Sequence, residues 1–116
     1  MSERGRPMEP FLWALFSSGG MLAALALPAA FFVSFLAVPL GLLDGLSREA
    51  LLSSLLHPAV RAALFVLVAL SLAHWAHRFR YTLYDGLQLY HLNLLIAVLT
   101  YGTAAALTVV AAVVLW

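Results

Sequence analysis

The chain contains no cysteine and no lysine, and only 9% of its 116 residues are charged. Without cysteine it can form no disulfide, thiolate metal site or iron–sulfur cluster within itself. The scarcity of charge, with a formal net of +1, excludes a strongly basic nucleic-acid binder, and no basic patch interleaved with aromatics occurs. Missing too are a nucleophile–base pair, a glycine-rich phosphate loop and any metal-ligand spacing. A soluble domain of this size is about a quarter charged and about half apolar. Here 65% of residues are hydrophobic and the mean hydropathy is +1.02. So much apolar surface cannot be hidden in so small a core. The chain therefore reads as an integral membrane protein, one domain over residues 1–116. All basic residues are arginine, which a GC-rich genome explains without any function.

Met1 to Pro10 is polar, with Arg4 and Arg6 offset by Glu3 and Glu9, and has no apolar core of the kind a signal peptide needs. Phe11 to Leu43 carries no charge and exceeds the ~20 residues that cross a bilayer. Ser17-Ser18-Gly19-Gly20 interrupts this run with residues that favour a break. The reading is a short interfacial helix at about 10–18, anchored by Trp13, then a first transmembrane helix at about 21–43 kinked by Pro28. In the loop that follows, Ser47 is expected to cap a short helix whose first turn holds Glu49. Leu51, Leu52, Leu55 and Leu56 would lay that helix against the membrane. Pro58 suits the first turn of a second transmembrane helix at about 58–80, with Arg61 snorkelling to the surface. A third spans about 91–116, with small residues at helical spacing (Ala104, Thr108, Ala112; Gly102, Ala106) and Trp116 at its end. The fold class is all-α: three transmembrane helices preceded by an interfacial helix.

The second span ends in His74-Trp75-Ala76-His77-Arg78-Phe79-Arg80-Tyr81, with Asp85 beyond. On a helix Ser71, His74, His77, Arg78, Tyr81 and Asp85 share a face. Ionisable groups at such a place are costly and tend to serve a partner or ligand. Three spans put Arg4, Arg6, Arg78 and Arg80 on one side and Arg48 and Arg61 on the other, so the positive-inside rule makes the N-terminus cytoplasmic and the C-terminus external. Trp13, Trp75 and Arg78 then lie at one membrane level. A quinone head, planar with two carbonyl oxygens, needs donors and aromatic packing at such a level. Trp13, His77 and Arg78 supply these, and Arg78 would also stabilise negative charge developing on a quinone oxygen. Arg80, about 200° around the helix from Arg78, is expected merely to bind lipid headgroups. Asp85 is expected to cap the helix end or pair with an arginine.

Glu9-Pro10-Phe11-Leu12-Trp13-Ala14-Leu15-Phe16, Gly19-Gly20-Met21, Pro28, Val38-Pro39-Leu40-Gly41-Leu42, Leu46-Ser47-Arg48-Glu49, Arg61, His77-Arg78 and Asp85 stand in an order and spacing that resembles the fumarate reductase D-subunit family over nearly the whole chain. The resemblance implies a non-catalytic hydrophobic anchor in the inner membrane, working in anaerobic fumarate respiration. Its partners would be a second membrane anchor (the C-subunit), an iron–sulfur subunit and a flavoprotein subunit. FAD and iron–sulfur clusters would reside only in the partners. Menaquinol would be oxidised at a cytoplasmic site between subunits, to which Trp13, His77 and Arg78 correspond. Arg80 and Tyr81 stand where some members carry further histidines, which puts any proton relay through that cluster in doubt here.

Two other readings compete. One is a haem b anchor of a succinate dehydrogenase, with His74 or His91 as ligand. Against it, His74 and His77 are three residues apart on one helix and cannot grip one iron from opposite faces, and the resembled family is generally haem-free. The other is a small membrane scaffold without redox role.

Overall fold

The computed structural model describes residues 8–116, so Arg4 and Arg6, counted above toward orientation, lie outside the described residues. Helix α1 (Glu9–Phe32) runs on into a π-helical turn, Val33–Ala37. Helix α2 (Arg48–Ser54) is short. Helix α3 (Pro58–Tyr81) continues into a second π turn, Thr82–Gly86, and a 3-10 turn at Tyr90–Leu92 leads into α4 (Asn93–Leu115). No strand occurs among the described residues. Three stretches are long and apolar enough to cross a membrane: Glu9–Ala37, Pro58–Gly86 and Tyr90–Leu115. The protein is an all-α, multi-pass membrane protein.

The separate interfacial helix expected at 10–18 does not form. Helix α1 passes through Ser17-Ser18-Gly19-Gly20 without a break. Ser18 Oγ donates to the Leu15 carbonyl at 3.0 Å, so the hydroxyl is satisfied inside the helix. The two glycines serve a packing contact instead of a hinge. A Cβ on Gly19 would run into the Leu70 carbonyl of α3, and one on Gly20 into the His74 ring. At 29 residues the first span is about 43 Å long, more than the hydrocarbon layer needs. Tilt, or ends standing among the headgroups, absorbs the excess. Pro28 sits within α1, and the helix loosens at Val33–Ala37 one turn later. Gly41, at a φ of +65°, then turns the chain away in a conformation that side chains disfavour.

Ser47 caps α2 as expected, its Oγ accepting from the Ala50 N–H at 3.1 Å. Arg61 does not simply snorkel: its Nε donates to the Leu55 carbonyl just beyond the end of α2, tying that loop to α3. Pro58 opens α3, and Nδ1 of His57 accepts from the Ala59 N–H at 3.1 Å.

Helix α3 is the middle of the bundle, packed on α1 along one side and α4 along the other. Neighbours are antiparallel. The start of α1, the end of α3 and the start of α4 therefore share one end, shown by the Trp13–His77 and Arg80–Asn93 contacts. At the opposite end Trp116 meets Phe65 edge to face at 5.5 Å. Few of the described residues are buried, and most of those are small: Gly19, Ala37, Ala76, Ala104 and Thr100, with Ile96. A water-soluble chain could not fold on so thin a core. In lipid, apolar side chains gain nothing by leaving the solvent, and helices associate through close backbone approach. Of the small residues in the third span, Ala104 is buried and Thr108 and Ala112 are half-buried, whereas Gly102 and Ala106 are exposed.

Candidate functional site

A cleft of about 450 Å³ opens where the three helix ends meet. Its walls include Leu12, Trp13 and Phe16 from α1, Leu70 and His77 from α3, and Tyr101 from α4. Such a lining is mostly apolar with few polar groups, the usual make-up of a site for a planar organic ligand. Trp13 and His77 face each other edge to face, ring centroids 6.4 Å apart. The expectation that they share a membrane level is met by direct contact. Phe16 and Tyr81 hold the His77 ring from two further directions, at 4.9 and 4.8 Å.

The polar stripe on α3 splits three ways. His74 turns into the seam with α1, where its ring stacks on Phe16 at 4.3 Å and Nδ1 lies 2.8 Å from the Phe16 carbonyl. A carbonyl only accepts, so Nδ1 carries the proton. Cε1 and the two ring nitrogens lie against Gly20. His77 lines the cleft, its Nδ1 2.9 Å from the Tyr101 hydroxyl. Arg78 is exposed, and its guanidinium makes no hydrogen bond or ion pair among the described residues. Trp75 stacks on Phe79 at 5.4 Å, away from the cleft. Asp85 lies in the π turn that ends the second span.

Arg80 overturns its expected role. It is half-buried against α4, not dispersed among headgroups. One Nη donates to Asn93 Oδ1 at 2.9 Å, and the other lies 3.5 Å from the Tyr101 hydroxyl. Its guanidinium carbon stands 5.3 Å from the Tyr81 ring centroid and 5.6 Å from that of Tyr101, within cation–π range. The rotation that separates it from Arg78 is what points it at α4.

Phe16, Asn93 and Tyr101 escaped the sequence reading. Asn93 and Tyr101 are about two turns apart on α4, hence on one face, and a tyrosine within an uncharged span was the available signal. No group of three or more metal-ligating side chains occurs among the described residues.

The family model described as the D-subunit of fumarate reductase matches residues 3–116. The fumarate reductase D-subunits of Mycobacterium bovis and Mycobacterium tuberculosis are 46% identical to this chain over 101 residues, covering 87% of it and 81% of their own length. The protein of that name from Aliivibrio salmonicida is 31% identical over 110 residues, covering 93% of this chain and 90% of its own.

Proposed function

The chain belongs to the fumarate reductase D-subunit family, a non-catalytic membrane anchor of a fumarate reductase, and from that premise we propose that it forms one wall of a menaquinol-oxidising site. The observation that carries this reading is the cleft at the shared helix end, with Trp13 and His77 in edge-to-face contact in its wall. The apolar walls suit a naphthoquinone ring, and the indole N–H and imidazole supply directional partners for its oxygens. Arg78, exposed and without a partner among the described residues, is available to the ligand or to a neighbouring subunit beside the cleft. A quinol that gives up two electrons also releases two protons, and polar groups beside its oxygens are what receive them.

In this reading a second membrane anchor (the C-subunit) completes the membrane part. The iron–sulfur subunit takes the electrons, and the flavoprotein subunit reduces fumarate. Both bind at the end that holds Trp13 and His77, which faces the cytoplasm of a prokaryotic inner-membrane complex in anaerobic respiration. The haem alternative asks more of His74 than the quinol reading does: the Nδ1–H bond to Phe16 leaves the Nε2 lone pair for a metal, but Nε2 and Cε1 are packed against Gly20 in the seam with α1, where no haem face has room.

Arg78→Leu tests the site. The complex should assemble and reduce fumarate normally with a reduced viologen dye, which bypasses the membrane site, while quinol-dependent turnover falls by about tenfold or more, the scale of a lost charge-assisted bond. Unchanged quinol turnover would remove Arg78 from the site and leave the anchor role standing.

A further inference from the structure

Tyr101 stands between two groups that make unequal demands on it. The Arg80 guanidinium holds only N–H donors, so the Tyr101 oxygen accepts from it across 3.5 Å. The single O–H of Tyr101 is then free to donate to Nδ1 of His77, 2.9 Å away. A neutral imidazole that accepts at Nδ1 must carry its proton on Nε2. Arg80 is itself fixed by Asn93 at 2.9 Å and by two tyrosine faces. The order of dependence runs Asn93, Arg80, Tyr101, His77.

We infer that Tyr101, oriented by Arg80 and Asn93, is a positioning residue of the quinol site that holds His77 in the Nε2–H tautomer and so makes it a hydrogen-bond donor toward a quinone oxygen. The inference rests on the quinol-site reading above and adds to it a specific polarity for His77. A ring that offers a fixed N–H to an oxygen acceptor is pre-organised, and pre-organisation of this kind lowers the cost of reaching the reactive arrangement. As a quinol loses its proton, negative charge grows on that oxygen; a fixed N–H stabilises that charge, whereas a histidine free to exchange tautomers would present a lone pair to it part of the time. Tyr101 acts here through His77, without needing to touch the ligand.

The test uses the assembled complex in membranes, with a short-chain naphthoquinol as donor and reduced viologen as the control that bypasses the site. Tyr101→Phe keeps the ring in the cleft wall and removes only the hydroxyl. Its quinol-dependent turnover should fall about tenfold, with the viologen rate unchanged, as expected for one well-placed hydrogen bond. In a His77→Ala background the same change should have no further effect, because the two residues act as a unit. Arg80→Gln and Tyr101→Phe should likewise fail to add. Equal effects of Tyr101→Phe with and without His77 would overturn the inference and make Tyr101 a direct ligand contact or a structural residue. So would an unchanged quinol rate in Tyr101→Phe when His77→Ala is slow. If His77→Ala itself turns over quinol normally, the quinol-site reading falls with it.

Discussion

The His74 ring lies so close over Gly20 that a side chain at residue 20 would collide with it, and the same ring is hydrogen-bonded to Phe16 one turn earlier. One histidine thus joins α3 to α1 through a missing side chain and a backbone carbonyl. Beside it Gly19 meets the Leu70 carbonyl, which is backbone and cannot swing aside.

Gly19→Ala should therefore loosen the α1–α3 seam, at a cost of about 1–3 kcal/mol, the usual range for overpacking. Gly20→Ala should displace His74 and break its bond to Phe16. The checks are the yield and thermal stability of the purified complex. Gly86→Ala, where a Cβ meets nothing within 4 Å, serves as the control and should change neither. Full stability in Gly19→Ala would show that the two helices do not approach so closely.

The absence of cysteine makes the orientation easy to read. Leu87→Cys lies at the end that holds the cleft, and Ser53→Cys lies on α2 at the opposite end; both positions are exposed. With the N-terminus cytoplasmic, a membrane-impermeant maleimide added to intact cells should label this chain at Ser53→Cys and leave Leu87→Cys unlabelled until the cells are opened. The reverse pattern would invert the orientation and place the quinol cleft outside.

Ser47→Ala removes the one side-chain cap of α2. Loss of such a cap costs about 1 kcal/mol, enough to fray the first turn of a helix of seven residues. Limited proteolysis from outside should cut between Ser47 and Leu55 more readily, while quinol-dependent turnover stays unchanged because the cleft is at the other end. A slower quinol rate would mean that the far loop communicates with the cleft.

That three segments cross was legible because length and apolarity alone decide what crosses a bilayer, but the first was expected at about 21–43 and runs Glu9–Ala37. The cap at Ser47 was legible because it depends on residues within one turn. Ser17-Ser18-Gly19-Gly20 misled for a physical reason. In water such a run weakens a helix, whereas in lipid the helix cannot open without stranding its peptide groups, and the glycines are free to serve a neighbour. Arg78 and Arg80 were correctly set apart in angle, but a helical wheel carries no information about which neighbour lies at each angle. Only the placement of α4, with Asn93 and Tyr101 on its inner face, shows that Arg80 is the engaged one. Trp13 and His77 came together as expected because both were fixed by membrane depth.

Helix α3 separates α1 from α4, so this chain by itself is an arc whose cleft lacks a complete enclosure. A quinol lodged there before the partners arrive would have no iron–sulfur acceptor within reach, and its electrons would be exposed to adventitious oxidants such as dioxygen. If the cleft takes a quinol as proposed, walling it jointly with another subunit would make tight binding wait for assembly. The open arc would in that sense be a safeguard, keeping an orphaned anchor from becoming a leak in the respiratory chain.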